Sequence, residues 1–258
     1  MSLKGSERTQ LLGKMGVDVA THCQGITVHT VRFVNRKGPV FYASLPHDAA
    51  SLMEQITNGG GARHRLVSIL WDHLVTMESH LWKRYQSSNR NAFPIRVVHG
   101  SLGRPHLLFG EYHGPAISFS EGGGKLWAAL CGDDSDIGID VAGTDEFRGE
   151  YPFHRVFHAD ELQHVSRLAG GDVAKASALL WSIKEAIAKA LGCGFHLVDP
   201  REIYVHPSVE GGSGYTFPVC LSRETQVRFP IGAGRSLCVR SFSQEKMWLS
   251  IALLNRQP

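Results

Sequence analysis

The feature that most constrains this chain is an order of apolar patterns that comes round twice. From about residue 25, "GITVHTVRFV" and "GPVFYASL" alternate apolar and polar residues with the period of two that a half-buried strand needs, and "NRKG" reads as the turn between them. A helical stretch, "PHDAASLMEQIT", is followed by the breaker "NGGG" and by "ARHRLVSILWDHLVTMESHLWKRY". In the latter Leu66, Ile69, Leu70 and Leu74 keep helical spacing, with His73 among them. "FPIRVVHG" and "HLLFG", around the turn "SLGRP", are strands again. The second round begins with "PAISFSEGGGKLWAALCGDDSDIGIDVAG", three short strands joined by Gly-rich and Asp-rich turns. The helices "FHRVFHADELQHVSRL" and "DVAKASALLWSIKEAIAKALG" follow, with Gly192 and Gly194 as stops. "REIYVHP", "GYTFPVCLS", "TQVRFPI", "RSLCVRSFS" and "MWLSIALL" read as closing antiparallel strands. "HRLVSILWDHL" in the first round echoes "ASALLWSIKEAI" in the second, mainly in apolar spacing. The expectation is an α+β fold of two similar lobes in a pseudo-twofold arrangement, 1–112 and 113–258, with a ligand cleft between them.

Composition narrows the function classes. With 258 residues, 43% hydrophobic and 20% charged, the chain is globular and has ample core. A net charge of +3 is too mild to argue for nucleic acid without a clustered basic patch, but it suits an anionic ligand. The five cysteines are odd in number, scattered, and form no CxxC pair, which excludes a disulfide framework and a structural zinc site and predicts reduced thiols in the cytoplasm. No apolar run approaches the about 18 residues of a membrane span, and "MSLKGSERTQ" lacks the core of a signal peptide. HExxH and G-x-S-x-G are absent, so zinc hydrolase and serine hydrolase chemistry have no carrier here.

Two stretches carry chemistry. On a helix, "WSIKEAIAKALG" places Ile183, Ala186, Ile187, Ala190 and Leu191 on one arc and Ser182, Glu185 and Lys189 roughly opposite, with Lys184 flanking that stripe. Alone it reads most simply as a solvated face with an i,i+4 Glu–Lys pair worth about 0.2–0.5 kcal/mol. In "DIGIDVAG", Asp140 sits inside an apolar strand, where an acid is costly unless it is paired, exposed at an edge, or bound to a metal. Together they suggest more. A hard cation such as Mg²⁺ needs only one or two protein carboxylates when substrate phosphates and water complete its shell. Asp140 and Glu185 could be that pair, and Lys189, one turn on, could neutralise a phosphate oxygen.

G-I-D-V, followed some forty residues later by W-S-I-K-E-A-x-x-K, resembles the signature of the 4′-phosphopantetheinyl transferases, most closely their surfactin-type, pseudo-dimeric subfamily. The resemblance reaches upstream. "ARHRLVSIL" is similar to the family's basic stretch, with Arg65 at the arginine that contacts coenzyme A. "LGRPHL" is similar to the G-K-P segment, with Arg104 at the phosphate-binding lysine. "PAISFSEGGG" resembles N-I-S-H-S at 118–120, which implicates Ser118. The resemblance implies transfer of 4′-phosphopantetheine from coenzyme A to a serine of an acyl or peptidyl carrier protein, with Mg²⁺ as cofactor and a monomer as the working form. It implies Asp140 and Glu185 as metal ligands, Glu185 and Lys189 as catalytic groups, and Arg65, Arg104, Ser118, Lys184 and Lys189 as coenzyme contacts.

Two positions depart from the family pattern. The imidazole of S-H-S is Phe119, and the acid two residues beyond the metal aspartate is Ala142, leaving Asp133, Asp134 or Glu121 as replacements to weigh. Both departures also suit a non-catalytic relative that binds coenzyme A or a nucleotide and acts as a partner-binding module.

Overall fold

The computed structural model describes residues 19–23, 25–33, 38–48, 61–77, 95–132, 135–149, 151–211, 214–229, 237–244 and 246–255. Of the predicted helix at 46–57 only Pro46, which ends β3, and the helical His47 and Asp48 are described; its remainder, the end of the long first-half helix beyond residue 77, and Asp133 and Asp134 lie outside the described residues.

Two antiparallel sheets stand back to back, each with one long helix on its outer face. The first holds β1 (Val19–Cys23), β2 (Ile26–Val31), β3 (Val40–Pro46), β7 (Ile117–Gly122) and β8 (Lys125–Cys131), in the order β1-β2-β3-β8-β7. The helix α1 (Gly61–Thr76) covers it: Leu66, Leu70 and Leu74 pack on Phe41, Ala43, Leu126 and Ala128. The opposite face of this sheet presents Val40, Tyr42, Trp127 and Ala129 to Ile139, Val141, Leu249 and Ile251 of the second sheet. β7 and β8 turn tightly through Gly123 and Gly124, whose φ of 60° and 69° are those of a type I′ hairpin, so the "GGG" is a turn.

The second sheet runs β10 (Ile203–Val205), β12 (Gly214–Leu221), β13 (Leu237–Gln244), β14 (Met247–Asn255) and β9 (Ser135–Gly143), with β11 (Val209–Gly211) paired to β12. α2 (Phe153–Val156), α3 (Ala159–Leu168) and α4 (Val173–Leu191) follow β9, and α4 lies on Ala142, Val239, Trp248 and Ala252. The small hairpin β4 (Ile95–His99), β5 (Pro105–Phe109) and β6 (Tyr112–His113) forms a third sheet beside the first.

The class is mixed α and β, as the patterns predict, with two differences in detail. β7 and β8 pair into the first sheet, so the expected boundary at 112/113 falls inside its span, which ends at Cys131. The apolar alternation that places β7 and β8 in a second lobe is the same whichever sheet they join. "TQVRFPI" is predicted as a strand, yet Arg223–Arg228 is the short helix α5. Its N-cap Ser222 accepts a hydrogen bond from the Thr225 amide at 3.1 Å, and this local cap outweighs the period-two pattern.

The helix α4 departs furthest from its sequence reading. Asp172 caps its start through the Lys175 amide at 3.0 Å, and Gly192 ends it in the left-handed region at φ 83°. Between them the helix is buried nearly all round. Ser182 lies in the core, its hydroxyl donating to the Leu179 carbonyl at 3.0 Å and hydrogen-bonded to Ser250 at 2.7 Å. In its second half only Trp181, Glu185 and Lys189 reach partial exposure, a single i,i+4 line that runs on to the half-buried Gly192 at its end.

Candidate active site

Gly138 decides where the site lies. A Cβ there would stand 1.8 Å from the Ala186 carbonyl oxygen and 2.7 Å from the Ala190 nitrogen. Only glycine lets β9 press against the backbone of α4. Asp140 follows two residues on, on the same strand face, and is thereby carried to the partly exposed line of α4. Lys189 Nζ donates to Asp140 Oδ1 at 2.7 Å and to the Ile139 carbonyl at 3.2 Å, and lies 3.7 Å from Glu185 Oε2. The two separate motifs thus meet in one group of side chains.

The other edge of β9 faces β7, which offers hydroxyls. The Ile139 amide donates to Ser118 Oγ at 3.1 Å and the Val141 amide to Ser120 Oγ at 3.2 Å. The Ser120 hydroxyl in turn donates a hydrogen bond to Asp140 Oδ1 at 3.0 Å. The serines of "SFS" therefore satisfy amides that an unpaired edge would leave exposed, and fix the Asp140 carboxylate.

Electrostatics at the site is crowded. Burial pushes the Glu185 carboxyl above the usual carboxylate range, the Asp140 charge pushes it further, and Lys189 pulls it partly back. Glu146 also raises it, while accepting the Gly143 amide at 2.7 Å. Among the described residues no three His, Cys, Asp or Glu side chains gather as a ligand set. Two neighbouring carboxylates with one hydroxyl nevertheless fit Mg²⁺, a hard cation that keeps several waters. A dication would also relieve the mutual repulsion that holds Glu185 up.

A cleft of about 240 Å³ opens beside Lys189, lined by Arg63, Arg104, Ser118, Phe119, Lys189 and His196 among others. That is just below the roughly 300–1,000 Å³ of sites that enclose a whole drug-sized ligand. It has room for part of a drug-sized molecule. Arg104 pairs with Asp136 and rests on the end of α4, where a Cβ on Gly192 would come within 2.8 Å of its Nη1. A cation there also suits the carbonyl-rich helix terminus. Arg63 lies 5.6 Å from the Phe119 ring centroid and 3.4 Å from Glu121 Oε1.

The structure brings Asp140 and Glu185 to Lys189, which lines the cleft together with Ser118 and Arg104, and separates Lys184 and Arg65 from that group. Lys184 cannot serve as a coenzyme contact. It is fully buried, and its ammonium donates to Glu161 Oε2 at 2.9 Å, Pro200 O at 2.9 Å and Ile203 O at 2.6 Å, which uses all three of its donors. Arg65 does not line the cleft; the arginine of α1 that does is Arg63, two residues earlier. Nothing in the local sequence separates those two, because which side of α1 faces the cleft depends on how the helix sits on its sheet. His99 and His196, also in the cleft wall, carry no sequence signal either. Glu121 pairs with Arg63, and among the described residues it does not join Asp140 and Glu185 in a three-ligand group.

Residues 136–231, which hold Asp140, Glu185 and Lys189, match the family model of the 4′-phosphopantetheinyl transferase superfamily. Among solved structures the chain is similar to the ACPS–CoA complex of Chronobacterium ammoniagenes, at 22% identity over 49% of this chain and 100% of that one, with a TM-score of 0.37. It is also similar to holo-[acyl-carrier-protein] synthase from Neisseria meningitidis, at 17% identity over 47% of this chain and 98% of that one, with a TM-score of 0.37. The holo-[acyl-carrier-protein] synthase of Thermotoga maritima aligns at 19% identity over 47% of this chain and 64% of that one, with a TM-score of 0.34. None of the curated proteins matches the sequence. The segment that carries the site is thus similar to the 4′-phosphopantetheinyl transferase superfamily.

Proposed function

We propose that this chain, a transferase by the superfamily of its residues 136–231, moves the 4′-phosphopantetheine arm of coenzyme A onto a serine hydroxyl of an acyl or peptidyl carrier protein. The observation that carries the reading is the convergence of Asp140, Glu185 and Lys189 beside a cleft walled by Arg63 and Arg104. Arginine forks and a lysine ammonium are the groups that hold phosphates by charge-assisted bonds.

The chemistry asks for attack of a hydroxyl on the phosphorus that bears the pantetheine arm, with loss of adenosine 3′,5′-bisphosphate. Asp140 and Glu185 would hold Mg²⁺, which when bound supplies charge neutralisation to the diphosphate. Glu185, a quarter exposed and with its carboxyl pushed up by burial, is placed to accept the serine proton. Lys189 would move from Asp140 towards the leaving phosphate as negative charge develops there. Arg63 and Arg104 would fix the coenzyme, and Ser118, whose proton is free of the bond it accepts from Ile139, can donate to it. Within the superfamily we assign the chain to the surfactin-type subfamily, its two back-to-back sheets with outer helices acting as pseudo-twofold lobes of a cytoplasmic monomer. The stacked layers of one chain support that assignment.

The test is to incubate the protein with coenzyme A, Mg²⁺ and a panel of apo carrier proteins and to weigh the products. A gain of the phosphopantetheine mass on one carrier is expected. Coenzyme A binding without any mass gain, with a known transferase active alongside, would leave the non-catalytic binding module as the function.

A further inference from the structure

Cys220 differs from the other thiols. Cys131 and Cys193 are buried and Cys238 is half-buried, whereas Cys220 is exposed. Burial pushes the Cys193 thiol up, and its S–H donates to the Ala188 carbonyl at 3.8 Å, so that sulfur is inert. Cys220 has a partner of another kind. It lies opposite Tyr204 where β12 pairs with β10. That pairing puts Cys220, Tyr204 and His206 on one face of the sheet, turned from the core that receives Ile203 and Val205. His206 Nε2 lies 3.2 Å from Cys220 Sγ.

The imidazole is itself held. The His206 amide donates to the Pro218 carbonyl at 3.0 Å, and the Tyr204 ring meets the imidazole edge to face at 4.8 Å between centroids. Tyr204 is fixed in turn by the hydrogen bond its hydroxyl donates to Asp160 at the start of α3, which pushes the phenol up to about 12 and keeps its proton there. A nucleophile, a base within hydrogen-bond reach and a third group that orients the base is the arrangement that activates a thiol. The cleft beside Lys189 is lined by other residues, so this group is separate from the transfer site.

We infer that Cys220 and His206 form a second reactive site, which takes low-molecular-weight disulfides. His206 accepts the thiol proton as Cys220 Sγ attacks one sulfur of the disulfide. A bond forms between those two sulfurs, and the S–S bond of the reagent breaks. The Cys220 sulfur is oxidised; the departing sulfur is reduced and leaves as a thiolate, which takes the proton from His206. The product is a mixed disulfide on the exposed face of β12, and a free thiol reverses it.

Glutathione disulfide added to the full chain, with peptides weighed over time, tests it. Cys220 is expected to gain the glutathione mass before Cys131, Cys193 and Cys238. It should react about tenfold faster in the folded chain than in the urea-unfolded chain, the worth of one charge-assisted hydrogen bond. Exposure alone would give a rate no higher in the folded chain. His206→Gln is expected to bring the folded rate down to the unfolded one. The folded-to-unfolded ratio of the wild type covers the case in which that variant does not fold. Equal rates in folded and unfolded wild type, or a wild-type rate in folded His206→Gln, overturn the inference and leave Cys220 an exposed thiol only. Labelling of Cys131, Cys193 or Cys238 ahead of Cys220 overturns it as well.

Discussion

α1 and α4 occupy corresponding places, each on the outer face of one sheet, and their sequences echo each other, yet they are held by different forces. α1 is fixed by leucines and isoleucine, with one buried polar side chain, His73, set edge-on to Phe41 and with no partner for its Nε2. α4 is threaded with satisfied polar contacts. Lys184 ties it to Glu161 of α3, Ser182 ties it to Ser250 of β14, and Lys189 ties it to Asp140 of β9. Glu161 also accepts from the His158 and Val205 amides, both at 2.8 Å. Apolar packing tolerates a small shift of a helix, whereas a network of directed bonds does not. The helix that carries Glu185 and Lys189 is the one that is pinned.

The largest break in that contrast should come from Lys184→Met. It strands the Glu161 carboxylate in the core and should cost about 3–5 kcal/mol in urea unfolding. Adding Glu161→Leu should return a large part of the loss; a single variant as stable as wild type would show that the pair does not pin the helix. Gly138→Ala should cost about 1–3 kcal/mol by overpacking β9 against Ala186. It should also lower transfer activity, because Asp140 moves with the strand. A variant with reduced stability but unchanged turnover would separate the two effects and count against Gly138 as the aim of the site. On the α1 side, Arg63→Ala should weaken coenzyme A binding about tenfold with stability unchanged, while Arg65→Ala should have a smaller effect. The reverse order in calorimetry would restore Arg65 as the contact.

The smallest effect concerns pH. Burial holds the His73 imidazole below its ordinary value of 6.5, so the folded chain keeps it neutral while the unfolded chain takes up a proton. Stability should therefore fall as pH drops below about 6.5, and His73→Leu should flatten that decline. The flattening is partial, because burial lowers His164 of α3 in the same sense. An acid limb unchanged in His73→Leu would show that α1 does not carry it.

The same contrast explains what could be read from the sequence. Alternation and helical spacing report which faces are apolar, and so the two sheets, α1 and α4 stand close to their expected positions. The meeting of GIDV with the Glu–Lys pair was legible because an acid inside an apolar strand and a distant charged line on a helix each ask for a partner. The fate of Lys184 was not legible, since a lysine flanking a polar stripe looks the same whether solvent or a buried glutamate receives it. The alanines around it, Ala186, Ala188 and Ala190, were the one hint, for small residues all round a helix mark close packing on more than one side. Arg63 over Arg65, and β7 joining the first sheet, are set by tertiary contacts that no local pattern encodes.

The central claim is that Asp140 and Glu185 form a cation-assisted seat for the coenzyme A diphosphate. Titration of coenzyme A into wild type and Glu185→Gln, each with and without Mg²⁺, measures it directly. Wild-type binding should tighten by at least tenfold with Mg²⁺, and Glu185→Gln should bind with the metal-free affinity in both conditions. Equal tightening by Mg²⁺ in both proteins, or none in the wild type, would contradict the account.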